Sequence, residues 1–472
     1  MQALTRIAAS HVALRPVLIP FLTRTVPAFI PTFISARRTP YTRRHHYTHS
    51  ILSTSISTTV LPEVSLRERL LLHKLIYDIA AQPIPNFQKT LKNGHSQILE
   101  NANESLKLLL ILTTRRLCKL SQLPYISLMN PHMAKIWSAY LQSYSLLVQF
   151  TGTAELTGIL SFEITKDEQN ENFKEILKQI LAMHEDNIID LKQGMKESAL
   201  SAFNENEFLN EHLRERILMR LIANNHIALT DTHKGMLYKR LNILEVLARS
   251  VDFVGGMTML KYYEKINIRV STAIIDGSHQ TTEEDIDLDE LHVHDPVIFP
   301  YFEDHLEYVF NEMLKNASRA VIERNTTEPV DVLVVLNNTK QSPTLQIKIS
   351  DRGGGIPPDI INKLWEYSFT TVKSSSVPHS MFTSSGETDT LAAKRDLGIT
   401  PEDLEINGTL GKVDIHANAS PTDAANAENN AVAGMGYGLP LSLTYCRLFD
   451  GDIKLQSVWG KGTDVYLTFR GL

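Results

Sequence analysis

Three stretches of this chain carry residue types that could hold and react a phosphorylated ligand. In HLEYVFNEMLKNASRAVIER (His305–Arg324), Glu312, Lys315, Asn316 and Arg319 stand at i, i+3, i+4 and i+7. On a helix that spacing puts all four on one face. Opposite them Leu306, Val309, Phe310, Met313, Leu314, Ala317, Ala320 and Val321 form an apolar stripe. A solvated face laced with ion pairs is the bland reading. Asn316 favours chemistry, because asparagine is a poor helix former in mid-helix and needs a reason to be there. Its carboxamide oxygen can ligate Mg²⁺ while phosphates complete the shell. Lys315 and Arg319 can meet phosphate oxygens, and Glu312 can orient or deprotonate a nucleophile.

The second stretch is IKISDRGGGIP (Ile347–Pro357). Asp351 ends a strand pattern, where it can accept a hydrogen bond from an adenine amino group. Gly353, Gly354 and Gly355 let the backbone bend and approach a ligand closely. Downstream, EYSFTT (Glu366–Thr371) offers two adjacent hydroxyls, Thr370 and Thr371. In the third stretch, GMGYGLPLS (Gly434–Ser442), three glycines precede a helical pattern at Leu439–Phe449. The free N–H groups of such a helix start suit an anion. Neither a P-loop nor a dinucleotide fingerprint fits: the G-x-x-x-x-G-K-[ST] pattern is missing, and no strand precedes the glycines.

The elements that must position these residues are legible from periodicity. From Glu63 to about Lys234 the chain reads as helix after helix, including Ser65–Gln82 with a capping box at Ser65 and Glu68, Glu104–Leu123, Met133–Phe150, Glu171–Phe203 and Glu207–Leu229. Short polar joints between long amphipathic segments predict an up-down bundle. A shorter helical pattern covers Leu237–Ile266. Strand patterns follow at Ile266–Ile275, Val330–Asn338, Thr344–Ser350, Asp452–Val458 and Thr463–Phe469, with helices between them. The fold class expected is therefore α+β.

Composition excludes several functions. Of 472 residues 21% are charged, with a net charge of −6, so no global attraction for nucleic acid is expected. No run of about 18 apolar residues predicts a membrane span. Two cysteines, Cys118 and Cys446, lie far apart in helical patterns, which argues for a reducing compartment and against a disulfide or zinc framework. From Met1 to Leu61 there is no Asp or Glu, while Arg6, Arg15, Arg24, Arg37, Arg38, Arg43 and Arg44 recur among Ser, Thr and apolar residues. That is the composition of a mitochondrial presequence.

Together and in this order, the boxes resemble the Bergerat-type (GHKL) ATP fold of histidine kinases, Hsp90-like chaperones, gyrase and MutL proteins. Within it the chain is similar to the mitochondrial kinases of 2-oxoacid dehydrogenase complexes. The residues that carry the likeness are E-x-L-K-N-A-x-R-A at Glu312–Ala320, S-D-R-G-G-G-I at Ser350–Ile356, G-x-G-Y-G-L-P-x-S at Gly434–Ser442 and G-x-G-T-D-V-Y-L at Gly460–Leu467. LPYISLMNP (Leu123–Pro131) and FLNEHLRERILMRLIANNHIAL (Phe208–Leu229) extend it into the helical half.

Composition sets the leader at 1–62; the resemblance, over roughly 63–472, implies a regulatory and docking four-helix bundle over 63–235 and a Bergerat-type α/β sandwich over 236–472 with a lid at 372–433. It implies Glu312 as the catalytic carboxylate, Asn316 as the Mg²⁺ ligand, Lys315 and Arg319 beside the phosphates, and Asp351 on adenine. Gly353, Gly355, Thr370, Thr371, Gly434, Met435, Gly436, Tyr437, Gly438, Leu439 and Thr463 would complete the ATP pocket. The activity implied is phosphorylation of a serine on the E1 α subunit of a pyruvate or branched-chain 2-oxoacid dehydrogenase complex, in the mitochondrial matrix. A homodimer, docking to the lipoyl domain of the E2 core, and potassium near the nucleotide belong to the same implication.

Pyruvate dehydrogenase kinases usually carry His four residues before the catalytic Glu; here Tyr308 stands there, as in the branched-chain kinase. The rival from another class is an ATP-gated non-kinase or a pseudokinase scaffold on the complex. His226 falls in a segment resembling a histidine-kinase phosphoacceptor region, against which stands the reading of a helix-face or site-shaping histidine.

Overall fold

In a computed structural model of the chain, the described residues are 66–92, 94–153, 155–185, 187–198, 204–264, 266–276, 279–280, 284–286, 296–338, 342–367, 369 and 436–472. The expected leader and lid, and Ser65 of the expected capping box, lie outside them.

The helical part begins with α1 (Leu66–Ala80), α2 (Phe87–Lys92), α3 (Ile98–Ser121), α4 (Tyr125–Leu128), α5 (Pro131–Thr151) and α6 (Leu156–Ser161). It continues with α7 (Asp167–Met183), α8 (Asn187–Ser198) and α9 (Glu205–Thr232). The boundaries follow local chemistry. At the start of α5, the Asn130 side chain accepts from the N–H of His132 at 2.9 Å, and Pro131 occupies the first turn. Gly152 ends the same helix in the left-handed region at φ 72°. Asn204 caps α9 by accepting from the N–H of Glu207.

Two compact units emerge: residues up to 83 with 110–163, and 84–109 with 164–472. In the first, Leu75, Ile79, Leu112, Ile136, Tyr144 and Leu147 are buried. Arg115 there donates to the carbonyls of Ala80, the last residue of α1, and of Gln82 just past it.

In the second unit the chain runs through β1 (Leu237–Asn242), α10 (Ile243–Tyr262), β2 (Ile268–Asp276), β3 (His279–Gln280), β4 (Glu284–Ile286), β5 (Ile298–Phe302), α11 (Glu303–Arg324), β6 (Val330–Asn337) and β7 (Thr344–Asp351). It closes with α12 (Gly438–Arg447), β8 (Asp452–Val458) and β9 (Gly462–Arg470). A mixed seven-stranded sheet has the order β3-β2-β6-β7-β9-β8, with β4 also on β2. β2 and β6 are parallel and the other pairs antiparallel. Strict alternation on β6 sends Val330, Val332, Val334 and Leu336 into the core. The whole is α+β, a helical N-terminal region followed by a mixed sheet with helices packed on it.

Two expected elements come out differently. Leu237–Asn242 opens no helix; it is a strand paired with β5, Leu237 opposite Phe302. Its partner lies about sixty residues downstream, so no local pattern could announce it. The long pattern Glu171–Phe203 breaks after Met183, where the His184 carbonyl accepts from Arg216 at 3.0 Å and the Asn187 amide meets His184 Nδ1 at 2.6 Å. These side-chain bonds hold a corner that helical periodicity alone does not reveal.

Candidate functional site

The site is built on α11. Its apolar stripe is buried, Leu306, Val309, Phe310 and Leu314 almost completely. That anchoring sends Glu312, Asn316 and Arg319 to the wall of a cavity of about 500 Å³. Asp351, Gly353 and Gly355 line the same cavity from the end of β7. Gly436, Gly438 and Leu439 line it from the start of α12, and Thr463 from β9. Met313, Ile349, Leu455 and Val465 supply apolar walls. Such a mix of apolar lining and a few convergent polar groups suits a small ligand.

Glu312 is only 6% exposed and forms an ion pair with Lys315 one turn along. Lys315 itself does not line the cavity; its ammonium lies against Glu312. A Cβ on Gly438 would collide with the Glu312 carboxylate, so α12 starts against that side chain and only glycine permits the approach. Arg319 pairs with Glu323 at 2.6 Å. Asn316 is exposed, with its side chain at the cavity wall.

Asp351 closes β7 opposite Thr463 of β9. One carboxylate oxygen accepts from the N–H of Gly353 at 2.8 Å. Burial pushes its pKa up, and hydrogen bonds from the backbone of Gly353 and Thr463 oppose that. Gly353 packs on Ala320 of α11, and a Cβ there would sit 2.5 Å from the Ala320 carbonyl carbon. Gly355, at φ 72°, faces the Val458 carbonyl with no room for a side chain. The three glycines thus thread between α11 and the β8–β9 turn.

Tyr308 is buried, its ring 4.7 Å from that of Tyr445, and its hydroxyl has no hydrogen-bond partner among the described residues. Burial, then the nearby Glu312 charge, holds its pKa well above the usual tyrosine value. Tyr437 does not line the cavity. It is buried, packed edge-on against Tyr367 at 5.3 Å. Thr370, Thr371, Gly434 and Met435 lie outside the described residues.

His226 is fully buried, Nδ1 at 2.8 Å from the Asn101 amide oxygen and Nε2 at 3.0 Å from that of Asn170. Burial, helped by Lys174, lowers its pKa to about 4. A sealed ring held between two side-chain amides shapes the core rather than receiving phosphate. A larger cavity of about 740 Å³, lined by Arg216, Lys234, Tyr238 and Asp304 among others, shares no residue with the first.

Sequence reasoning did not single out Arg324, Phe369, Leu455, Trp459 or Val465, all at the 500 Å³ cavity. The β8–β9 residues are placed there by sheet order, for which no local motif exists.

Residues 80–256 match the family described as mitochondrial branched-chain alpha-ketoacid dehydrogenase kinase, and residues 302–387 the histidine kinase-, DNA gyrase B- and HSP90-like ATPase family. The chain is 28% identical to mitochondrial [pyruvate dehydrogenase (acetyl-transferring)] kinase 1 of Saccharomyces cerevisiae, over 84% of this chain and 86% of that protein. It is 24% identical to isozyme 4 of the human kinase, over 72% and 68%, and 24% identical to the Arabidopsis thaliana kinase, over 76% and 81%. The ATPase-type match covers α11 and the glycine loop, the kinase-specific match covers the helices before them, and the relatives align across both. The two matches and the relatives together support the mitochondrial 2-oxoacid dehydrogenase kinase family for this chain.

Proposed function

We propose that this protein is a mitochondrial protein-serine kinase that transfers the γ-phosphate of ATP to the E1 α subunit of a pyruvate or branched-chain 2-oxoacid dehydrogenase complex and thereby inactivates it. The observation that carries the reading is the convergence of Glu312, Asn316, Arg319, Asp351 and the glycine loop on one cavity. Asp351 takes the adenine amino group. The start of α12, at Gly436, Gly438 and Leu439, offers backbone N–H groups to phosphate oxygens, and Arg319 adds charge.

Mg²⁺ fits these residues. It is held by few protein oxygens plus phosphates, and Asn316 supplies one neutral oxygen at the cavity wall. Bound there, it would neutralise charge on the phosphates. Glu312 orients the attacking serine hydroxyl or takes its proton, and Lys315, paired with it, holds the carboxylate in place. Thr370, Thr371, Gly434, Met435 and a lid over 372–433 would complete the pocket, and potassium would sit near the nucleotide.

The matrix is the compartment proposed, with 1–62 as the import leader, 63–235 as a docking domain and 236–472 as the kinase domain. The lipoyl domain of the E2 core is the docking partner. For a homodimer, the supporting feature is the half-exposed sheet face that carries Leu333 and Val335. No finding favours an ATP-gated non-kinase or a pseudokinase.

The decisive experiment incubates the protein with γ-labelled ATP and purified E1 from both complexes. Label on an α-subunit serine, with loss of E1 activity, is expected. No transfer to either E1 would overturn the kinase reading, and the labelled E1 names the substrate.

A further inference from the structure

Trp459 occupies the turn between β8 and β9 and is 63% exposed. The turn needs glycine at Gly460, whose φ is 86°, but it needs nothing from an indole. Among the described residues no aromatic ring packs on Trp459, and Val458 beside it is exposed as well. Its ring is thus free to meet a ligand in the neighbouring cavity.

Its place is fixed. The N–H of Gly460 donates to the Gly354 carbonyl at 2.7 Å, and the N–H of Gly354 donates to the Lys461 carbonyl at 3.2 Å. The N–H of Ile356 donates to Ser457 Oγ at 2.7 Å. The turn is thus bolted to the glycine loop, and Trp459 stands on the rim of the 500 Å³ cavity. It stands at the end where β7 and β9 pair Asp351 with Thr463.

We propose that the Trp459 indole is a nucleobase wall: it stacks on the purine whose amino group Asp351 accepts, and so sets nucleotide affinity. The inference rests on the nucleotide reading of this cavity. Stacking an aromatic side chain on a base is strong and tolerant of base identity, because every base has a π face. The base does not change during phosphoryl transfer. The contact is therefore equal in ATP, in ADP and at the transition state, and it acts on binding rather than on the chemical step.

The test uses the whole protein and titrates MgATP and MgADP by calorimetry into wild type, Trp459→Ala and Trp459→Phe. Trp459→Ala should weaken ATP and ADP alike, by roughly tenfold. Trp459→Phe should stay within about threefold of wild type, since it keeps a ring. At saturating ATP the turnover number should be unchanged in both, so that only KM for ATP moves. Unfolding temperatures without nucleotide should coincide, as expected for an exposed side chain. Unchanged ADP affinity in Trp459→Ala overturns the inference and leaves the nucleotide site standing. Trp459→Phe as weak as Trp459→Ala also overturns it, because a ring then does not matter. So does a KM change for the protein substrate alone, which would make the residue a protein contact. Failure of the wild type to bind either nucleotide would defeat the nucleotide reading itself, and this inference with it.

Discussion

Glu312 and Tyr308 lie four residues apart on α11 and are both buried, yet their chemistry differs. Tyr308 sits among rings, and burial beside Glu312 makes loss of its proton harder still. It cannot serve as the base, and it packs rather than reacts. Glu312→Gln should cut single-turnover phosphoryl transfer by roughly two orders of magnitude. Tyr308→Phe should cost far less and leave ATP affinity intact. If Tyr308→Phe proves the more damaging change, Glu312 is not the proton acceptor. Asp351 is the corresponding test of the base end. Asp351→Ala removes one charged hydrogen-bond acceptor, on the order of 1.5–3 kcal/mol, so ATP affinity should fall by about tenfold or more. Calorimetry that finds equal affinity would reduce Asp351 to the turn it forms with Gly353.

Helix α12 approaches α11 through a glycine, and that approach sets where Glu312 can be. In Gly438→Ala the new methyl would overlap the Glu312 carboxylate. The colliding atoms are the end of a side chain, so the fold should survive while Glu312 swings off its ion pair with Lys315. The expected result is a helical circular-dichroism signal close to wild type, with transfer reduced at least tenfold, a modest loss for a misplaced catalytic group. Full activity in Gly438→Ala would mean that the position of Glu312 does not matter.

Stability of the whole protein should depend on pH through buried histidines. His184 and His305 have pKa values lowered to about 3, and His226 to about 4, chiefly by burial. Unfolded, each would titrate near 6.5. Between 6.5 and 4 the unfolded chain therefore binds more protons, and stability is lost as pH falls through that window. Asp304 acts the other way: burial and the charges of Glu303 and Glu307 raise its pKa to about 6, so its contribution fades as pH rises from 3.8 to 6. Three histidines outweigh one aspartate, and the unfolding temperature should be flat above pH 7 and fall steeply below 6.5. His305→Phe keeps a ring packed against Tyr445, Phe302 and Phe449. It should make that fall shallower; an unchanged slope would show that His305 is not neutral in the fold.

From residue order alone came the α+β class, the helix of Glu312, Asn316 and Arg319, and the turn after Asp351. Each rests on spacing within one element, 3.6 residues on a helix or 2 on a strand, and on glycine where the backbone must bend. The joining of elements was not legible. That Leu237–Asn242 is a strand depends on β5, and that Trp459 reaches the rim depends on β8 and β9 closing the sheet beside β7. Those outcomes are long-range pairings, fixed by which apolar faces and strand edges meet. No window of sequence contains both partners.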